Sequence, residues 1–465
     1  MTGPIIVPLI HLALAAGVTI HVLLTKREAG SSVAWIGLAW LAPLLGSVLY
    51  LLLGINRVRR RALNLRRPHR GTRKEMLGRE ARRDDYLAPL ETAGLHITGR
   101  PAENGNAISL LLNGDNAYPD MLAAIEGARQ SIALASYIFR ADVAGHEFID
   151  ALVRAARRGV EVRVLIDGIG GGYFTSPTYH RLRGAGVPAA RFLHSTLPWR
   201  MPFLNLRSHK KILGIDGRIA FTGGLNIGAE NLIRNQPRHP VFDTHFRLEG
   251  PVVAQLIEVF AADWQFTTKE RLTGDAWFPT LRPAGDSSAR VVTSGPDNDL
   301  EKIELMILQA LGCARTSIRI MTPYFLPDER VITALCLAAY RGVEVDLVIP
   351  EHSNHPTVDW GSRVQMIPLL AAGCRVWTYP APFNHSKLMS IDGLWALVGS
   401  ANWDVRSLRL NFELDLEVYR SGLVRQIDEL ITAQQVARIS SEALASRPLA
   451  LRLRDGAARL MVPYL

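Results

Sequence analysis

Two histidines of this chain stand in the same short pattern, in which a lysine follows two residues later and an aspartate five residues after the lysine. The two copies lie in SHKKILGIDG and NHSKLMSIDG, and their residues are His209, Lys211 and Asp216, and His385, Lys387 and Asp392. A histidine can serve as nucleophile or as general acid/base near neutral pH, and a lysine beside it supplies a positive charge. This combination suits the transfer of a phosphoryl group. The repetition predicts that both copies contribute to one shared active site.

Each copy is followed by a turn of small residues that ends in asparagine, GGLN up to Asn226 and GSAN up to Asn402. Glycine lets the backbone approach a substrate closely, and the asparagine amide adds a hydrogen-bond donor at the same place. Two lysines and two asparagines could therefore neutralise a phosphate oxyanion from both sides without a metal ion. We expect neither a metal nor another cofactor, because Cys313, Cys336 and Cys374 lack metal-ligand spacing and no nucleotide fingerprint is present.

These residues resemble the HKD motifs of the phospholipase D superfamily, and the resemblance extends over nearly the whole chain. The segments TGGLNIGAEN, DTHFRLEGPVV, TPYFLPDE and VGSANWDVRSLRLNFELDLEV are similar to those of bacterial cardiolipin synthases. The resemblance implies a membrane-bound phosphatidyltransferase that makes cardiolipin and glycerol from two phosphatidylglycerol molecules through a phosphatidyl-histidine intermediate. By analogy with relatives it favours His209 as the nucleophile and His385 as the general acid/base, although the sequence itself leaves their order open, and it implies that Asp216 and Asp392 mainly fix the motif loops.

The same residues leave other reactions open. The enzyme could hydrolyse phospholipids, transfer to another alcohol, or take phosphatidylethanolamine as the donor. A membrane-tethered nuclease would share the chemistry, but nucleic-acid binding needs a basic groove around the site, and the basic excess lies elsewhere in this chain. We therefore expect phospholipid substrates and no nucleic-acid partner, and the oligomeric state stays open.

Carboxylates that orient the two imidazoles are expected on later strands. Glu413 in NFELDLEV is the candidate for one half, and Asp243 in FDTHFRLEG is the candidate for the other. His245 shares a strand face with Asp243, so either residue is a candidate for supporting the first site. Asp243 and Glu413, with Asn226 and Asn402, complete the predicted substrate-binding set.

An internal repeat predicts a two-lobed layout independently of the motifs. RGVEV occurs at 158–162 and again at 341–345, and this separation agrees with that of the two histidines to within a short insertion. A strand and then an amphipathic helix precede each copy, the strands at Ser131 to Phe139 and Ser317 to Phe325 and the helices at Glu147 to Arg157 and Glu329 to Tyr340. We therefore predict an α/β fold with two repeated phospholipase D-like lobes, each a mixed β-sheet flanked by helices.

The N-terminus carries two uncharged apolar runs, Pro4 to Leu24 and Val33 to Ile55, each long enough to cross a bilayer. Asn56 to Arg83 then holds twelve lysines or arginines against two glutamates, which accounts for the whole net charge of +10. By the positive-inside tendency such a collar stays on the cytoplasmic side, and it is attracted to an anionic membrane surface. These features predict a multi-pass protein of the bacterial inner membrane with cytoplasmic catalytic lobes.

The expected organisation is a transmembrane hairpin at 1–56, a basic juxtamembrane linker at 57–105, lobe 1 at 106–280, lobe 2 at 281–430 and an amphipathic tail at 431–465. Two segments are candidates for contact with the membrane surface or for ordinary packing, the aromatic loop Phe192 to Leu206 and the tail, in which arginines alternate with apolar residues. Four aromatic residues on the repeated strand ends are candidates for lining the cleft or for packing in the core: Tyr137, Phe139, Tyr324 and Phe325.

Overall fold

A computed structural model of the protein describes residues 3–25, 29–51, 86–194 and 206–460. The chain divides into two compact units, Met1–Arg67 and Pro68–Leu465. The basic collar predicted at Asn56 to Arg83 lies outside the described residues. Residues 195–205, the larger part of the predicted interfacial loop, also lie outside the described residues.

The described part of the first unit consists of three helices, α1 (Gly3–Thr25), α2 (Ala29–Leu41) and α3 (Pro43–Leu49). Proline cannot donate a backbone hydrogen bond and clashes with the preceding turn, so Pro43 starts a new helix. The run Val33 to Ile55, predicted as one span, is therefore interrupted at Ala42, whose φ is −137°. Within the described residues, no helix combines the length and the apolar character needed to cross a membrane.

The second unit is built on one mixed sheet of fifteen strands and two additional pairs of two-residue strands. In chain order the strands are β1 (Glu103–Leu112), β2 (Ser131–Ser136), β3 (Glu161–Asp167), β4 (Ala189–Phe192), β5 (Ile212–Ile215), β6 (Ile219–Gly223), β7 (Val241–Phe242), β8 (Thr244–Glu249), β9 (Ser287–Ser294), β10 (Ser317–Met321), β11 (Phe325–Leu326), β12 (Glu344–Pro350), β13 (Arg375–Tyr379), β14 (Phe383–Asn384), β15 (Leu388–Ile391), β16 (Trp395–Gly399), β17 (Trp403–Asp404), β18 (Glu413–Tyr419) and β19 (Ala437–Ile439).

The order of strands in the large sheet is that of two repeated lobes joined at the centre. It runs β19-β13-β12-β10-β15-β16-β18-β9-β1-β8-β6-β5-β2-β3-β4, so β1 and β9 lie side by side at the centre. Outward from β1 come β8, β6, β5, β2, β3 and β4, and outward from β9 come the corresponding strands β18, β16, β15, β10, β12 and β13. The central pair is antiparallel, with Glu103 opposite Ala289 and Asn106 opposite Ser287. The chain therefore has the predicted mixed α/β fold with two repeated lobes.

Helices cover both faces of this sheet, so its strands are buried on both sides. They are α4 (Ala88–Thr98), α5 (Asn113–Gly127), α6 (Val143–Arg157), α7 (Pro177–Gly184), α8 (Val252–Thr268), α9 (Lys302–Cys313), α10 (Glu329–Tyr340), α11 (Pro356–Ala371), α12 (Val405–Arg409), α13 (Gly422–Ala433), α14 (Ser441–Ala445) and α15 (Leu449–Leu460). One apolar cluster joins the lobes under the central strands, with Phe246 and Phe260 from lobe 1 packing in the same core as Leu416 and Ile427 from lobe 2.

Some elements lie where a linker and a tail were predicted. Leu87 and Leu90, at the start of α4, are buried in the core of lobe 2, so residues 86–105 are part of the folded unit. At the other end, α13 runs through the boundary predicted at residue 430. β19 then pairs with β13, Ile439 opposite Val376, which extends the lobe 2 sheet. Of the predicted tail, the described amphipathic helix is α15.

Candidate active site

The two motif histidines lie next to each other where the lobes meet. Their ring centroids are 6.3 Å apart and their planes are nearly perpendicular, at 87°. Each backbone N–H is bound by the other lobe: His209 donates to the carbonyl of Phe412 over 2.9 Å, and His385 donates to that of Phe242 over 2.6 Å. Short cross-lobe pairings, β7 with β14 and Ser208 with Phe412, hold both motifs in place. The structure thus brings the two repeats to one centre.

Each imidazole is oriented by a carboxylate from the opposite lobe. His209 Nδ1 lies 3.0 Å from Glu413 Oε2 and 2.9 Å from the Ser400 carbonyl oxygen. His385 Nδ1 lies 2.8 Å from Asp243 Oδ2. Because each Nδ1 is engaged in this way, Nε2 is the ring nitrogen left for chemistry. The two carboxylates named from the sequence are both present, and each serves the histidine of the other repeat.

Each site lysine precedes a strand and bonds to the backbone of the histidine two residues before it. Lys211 Nζ donates to the carbonyl oxygen of His209 over 2.6 Å. Lys387 Nζ lies 2.8 Å from His385 Nδ1 and also donates to the His385 carbonyl oxygen. Lys210 points the other way and forms a buried ion pair of 2.8 Å with Asp263 on α8. The two neighbouring lysines therefore differ in role, with Lys211 in the site and Lys210 in a buried ion pair.

Burial sets the protonation of this cluster. Burial and the two lysine charges lower the pKa of His209 well below its ordinary value, and burial with the Lys387 charge lowers the pKa of His385 to about 3. Burial likewise lowers the pKa of Lys211 to about 7 and that of Lys387 to about 8. Both imidazoles are consequently neutral without substrate, and an anionic ligand between the lysines would favour their protonated forms.

The two carboxylates have opposite pKa shifts. Burial raises the pKa of Glu413 to about 7. Burial also opposes ionisation of Asp243, but the Lys387 charge and the hydrogen bond with His385 outweigh it and lower the pKa. Asp243 therefore ionises at lower pH than Glu413 does, and it faces His385. This difference distinguishes the two histidines although their repeats are alike.

The asparagines of the two turns make different hydrogen bonds. The amide oxygen of Asn226 accepts from the backbone N–H of Ile138 over 3.2 Å, at the end of β2. Asn402 is buried, and its amide nitrogen donates to Ser407 Oγ over 3.3 Å. The turn before Asn402 passes so close to β18 that a Cβ at Gly399 would lie 2.4 Å from a carboxylate oxygen of Asp415. Only glycine fits there.

The motif aspartates lie at the far ends of their strands, away from the histidines. Asp216 accepts from the backbone N–H groups of Gln130 over 2.7 Å and of Ser131 over 2.9 Å, at the start of β2. Asp392 accepts equivalently from Thr316 and Ser317, both over 2.8 Å, at the start of β10. Both aspartates have left-handed backbones, with φ of 50° and 54°. Each one ties the motif hairpin to the next strand and does not reach the histidines.

We expect Asp216→Asn to lower the free energy of unfolding by about 1–3 kcal/mol while leaving kcat almost unchanged. Asparagine keeps the preference for a left-handed backbone but loses the charge, and it turns an N–H₂ toward the N–H donors. Urea denaturation and turnover at a permissive temperature check this result. Asp150→Asn, at an exposed position, is the matched control and should change neither quantity. A large loss of kcat in a folded Asp216→Asn variant would contradict the structural role.

Comparison with known proteins agrees with this geometry. The family described as "Cardiolipin synthase, PLD-like domain" matches residues 121–264 and 307–434. Cardiolipin synthase 1 of Bacillus cereus is 32% identical to this chain over 97% of it and 92% of its own length. The major cardiolipin synthase of Bacillus subtilis is also 32% identical, over 95% of both chains. The chain belongs to the PLD-like cardiolipin synthase family.

Two further similarities extend this family assignment. Residues 13–54 match a domain described as "Phospholipase D-nuclease N-terminal", which together with the family indicates membrane association. Among solved structures, the phosphatidylserine synthase of Haemophilus influenzae superimposes with a TM-score of 0.62 over 81% of this chain and 100% of its own, at 14% identity. At that identity the likeness shows the fold alone.

A cavity of about 290 Å³ opens beside His209 in this cardiolipin synthase family member. Tyr137 and Tyr324, two of the four aromatic candidates, line it. Tyr137 meets the ring of His209 edge-on at 4.9 Å, and Tyr324 meets that of His385 at 6.0 Å. The other two candidates, Phe139 and Phe325, are buried in the cores of their lobes. The cleft therefore takes one aromatic ring from each strand end.

Neither Asp243 nor His245 supports the first site. Glu413 supports His209, and Asp243 supports His385. His245 is buried, burial lowers its pKa to about 4, and its Nδ1 has no hydrogen-bond partner among the described residues. The equivalent position in lobe 2 is Asp415, which sequence reasoning missed. Asp415 accepts from Ser400 N–H over 2.9 Å and so shapes the turn behind His209. Its spacing from Glu413 within ELD was the available signal.

Proposed function

We propose that the protein is a phosphatidyltransferase that joins two phosphatidylglycerol molecules into cardiolipin and releases glycerol. The observation that carries this proposal is the pair of adjacent imidazoles, 6.3 Å apart, each held at Nδ1 by a carboxylate of the opposite lobe. Two histidines arranged around one phosphorus provide a nucleophile and an acid/base. The names of the similar Bacillus enzymes support cardiolipin as the product.

In the first step, the Nε2 lone pair of His209 attacks the phosphorus of the donor lipid while the bond from phosphorus to the glycerol oxygen breaks. His385, as imidazolium, gives its Nε2 proton to that oxygen, so glycerol leaves as a neutral alcohol. A phosphatidyl group remains bound to His209. His385 suits the acid/base role because Asp243, with its lowered pKa, stabilises the imidazolium. The charge of a bound phosphodiester favours the same protonated form.

In the second step, a hydroxyl group of the acceptor phosphatidylglycerol gives its proton to neutral His385 and attacks the phosphorus. The phosphorus–nitrogen bond breaks, His209 recovers its lone pair and cardiolipin leaves. One phosphodiester bond has been exchanged for another, so no nucleotide is consumed. His385 is left protonated in the product complex, and the charge of a bound donor favours this form again in the next cycle.

We assign the non-bridging phosphate oxygens to Lys211 and Lys387, with the amides of Asn226 and Asn402 at the sides. Charge-assisted hydrogen bonds from ammonium groups strengthen as negative charge develops on those oxygens. Both ammonium groups are buried, and burial disfavours their charged forms, so a bound phosphodiester would stabilise both charges.

The pKa values of the lysines predict an alkaline limit to activity. Lys211 and Lys387 are needed in their charged forms, which are present below the pKa and lost above it. We expect kcat/KM, which reports the free enzyme, to fall as pH rises through about 7 to 8. In kcat the limit should move to higher pH, because the bound anion stabilises both charges. Initial rates from pH 5 to 10 with saturating and limiting lipid check this, and a profile of kcat/KM that is flat to pH 10 would contradict it.

Helix α15 supports a membrane-surface contact. Its inner side is fixed by the buried Asp455, which pairs with Arg454 over 2.8 Å and with Arg447 over 3.3 Å. Its outer side carries Leu449, Leu453 and Leu460, which are 68%, 65% and 78% exposed. A helix with leucines on one side and arginines beside them suits the boundary of an anionic bilayer.

We expect a photo-crosslinking benzoylphenylalanine at position 453 of the full chain, in native membranes, to label phospholipid. The exposed leucine side chain occupies no packed site, so the replacement should not disturb the fold. Val143, the first residue of α6, is comparably exposed and is the matched control, at which we expect several-fold less lipid label. Mass spectrometry of the labelled peptides measures both. Equal labelling at the two positions would remove α15 as the contact.

The topology expected for residues 1–56, a hairpin across the inner membrane with the lobes in the cytoplasm, stays a prediction. The match to a phospholipase D-nuclease N-terminal domain over residues 13–54 supports membrane association through this segment. Protease accessibility in oriented vesicles tests the orientation. Digestion of the lobes from the periplasmic side alone would exclude it.

The proposed function is tested by incubating the purified, detergent-solubilised protein with phosphatidylglycerol alone in the presence of EDTA. Cardiolipin and free glycerol in equal amounts, made without CTP, would establish the transfer and its donor together. Phosphatidic acid as the main product would mean that water is the acceptor. Product only when phosphatidylethanolamine is added would change the donor, and activity that EDTA removes and a divalent ion restores would require a metal.

A further inference from the structure

The cavity beside His209 carries two arginines that the catalytic steps do not use. Arg207 lies two residues before His209, and Arg406 lies four residues after Asn402, on α12. Both residues line the cavity, one from each lobe. The cavity reaches Tyr324, the ring of which lies against His385, so it is continuous with the reaction centre.

In the described part of the chain, Arg207 lacks a carboxylate that would balance its charge. Arg207 donates to the hydroxyl of Tyr137 over 2.8 Å, its buried Nε has no hydrogen-bond partner, and within the described residues it has no carboxylate at ion-pair distance. Burial and the positive charge of Arg207 lower the pKa of Arg406. Asp404 also lines the cavity, where its charge partly offsets the lowering of the Arg406 pKa, and its carboxylate accepts from the backbone N–H of Ser407, capping α12. Two cations that destabilise each other in a half-buried cavity form a site for an anion.

A comparison of the two repeats shows that neither arginine has a counterpart at the equivalent position. The residue two before His385 is Phe383, where lobe 1 has Arg207. The residue four after Asn226 is Glu230, where lobe 2 has Arg406, and it is paired with Arg140 over 2.7 Å. The reacting groups are duplicated, whereas the two cations are not. A substrate with a second anionic group near the reacting phosphorus would use such an asymmetric site.

A polar group suited to an alcohol lies in the same cavity. Asn411 is buried and donates its amide N–H to Glu413 Oε1 over 3.1 Å. Its amide oxygen, Oδ1, has no hydrogen-bond partner among the described residues. An unpartnered buried acceptor matches a hydroxyl donor. Cations for a phosphodiester and an acceptor for a hydroxyl are the features of a glycerophosphate diester.

We propose that Arg207 and Arg406 bind the phosphodiester of the acceptor lipid, and that this second anion site is what directs the phosphatidyl-enzyme to a lipid alcohol in preference to water or a small alcohol. The inference rests on the proposed function, in which two phosphodiesters become joined by one glycerol. It assigns acceptor selection to residues outside the two motifs.

Competition between two acceptors for one intermediate tests the proposal. The full-length protein receives a trace of acyl-labelled phosphatidylglycerol as donor, with unlabelled phosphatidylglycerol and ethanol as competing acceptors. Labelled cardiolipin and labelled phosphatidylethanol then arise from the same covalent intermediate. Their ratio is independent of donor binding and of any loss in the first step.

We expect Arg207→Gln and Arg406→Gln each to lower the ratio of cardiolipin to phosphatidylethanol about tenfold, the effect of losing one charge-assisted hydrogen bond. Arg207→Lys, which keeps the charge, should lower it less. Arg140→Gln, at the equivalent flank of lobe 1, is the control and should leave the ratio unchanged. An unchanged ratio in both glutamine variants, even with both products reduced, would overturn the anion site. Wild-type protein that makes phosphatidylethanol but no cardiolipin would instead overturn the proposed function.

Discussion

His209→Ala and His385→Ala are each expected to lower cardiolipin formation by at least about four orders of magnitude, because either change removes a group that no neighbour replaces. The two variants should differ with a donor whose leaving group needs no proton. With phosphatidyl-p-nitrophenol, His385→Ala should still release nitrophenolate once per active site, since the nucleophile is intact. His209→Ala should release none. Stopped-flow absorbance measures this burst.

His180, an exposed histidine on α7, provides the control, and His180→Ala should retain wild-type turnover. Full cardiolipin formation by either active-site variant would exclude the two-histidine mechanism. A burst from His209→Ala with none from His385→Ala would reverse the two roles. The folded state of each variant is checked by its urea midpoint.

The second large effect concerns a buried ion pair between β9 and β18. Arg290 and Glu417 are both fully buried and bonded to each other, Nε to Oε1. Arg290 also donates to the Tyr419 hydroxyl over 3.1 Å and to the carbonyl oxygen of Glu91, in α4, over 3.1 Å. Glu417 accepts in addition from Trp395 Nε1 over 3.1 Å. One pair thus connects the centre of the sheet with the N-terminal helix of the unit.

We expect Glu417→Ala to lower the free energy of unfolding by about 3–5 kcal/mol, because the arginine is left charged and unpaired in the core. The double variant Arg290→Met/Glu417→Leu should recover much of that loss, since both charges are gone and the volume is refilled. Glu126→Ala, which breaks an exposed pair with Arg154, should cost less than about 1 kcal/mol. Urea denaturation followed by tryptophan fluorescence measures all three. A loss below 1 kcal/mol for Glu417→Ala would contradict this account of the core.

The reacting residues were predictable from the sequence because the chain repeats them. A histidine and a lysine two residues apart are expected on one side of an extended segment. Two copies with the same asparagine turn are then expected to contribute to one shared site. What the pattern did not reveal is that each carboxylate crosses to the other lobe. Asp243 follows β7, a strand of two residues that pairs with β14 of lobe 2. Two residues show no periodicity, so the sequence carries no sign of this pairing.

The aromatic candidates illustrate a second limit. Tyr137 and Phe139 both follow β2, where the regular strand has ended and alternation no longer tells which side chain faces the cleft. Phe139 forms an isolated bridge with Ile227 and packs in the core, whereas Tyr137 lines the cavity. The hydroxyl group was the better guide, because a tyrosine needs a polar partner and a phenylalanine does not.

For the N-terminal unit, the hydropathy of the chain predicted the helix bounds less well than the position of Pro43 does. The uncharged run Val33 to Ile55 predicted one continuous helix, but Pro43 separates α2 from α3. That signal was present in the sequence and was outweighed by the length of the run. Similarly, β19 and the first turn of α4 have too few residues to reveal that they belong to the lobe 2 sheet and core.

The central claim is that one centre, assembled from both lobes, transfers a phosphatidyl group through a covalent histidine. It is tested most directly by mixing the protein with acyl-labelled phosphatidylglycerol, quenching within one turnover in neutral denaturant and mapping the labelled peptide. We predict a phosphatidyl group on His209, which is lost when unlabelled phosphatidylglycerol is added before the quench and appears as cardiolipin. Turnover to cardiolipin with no labelled histidine at any time would contradict it.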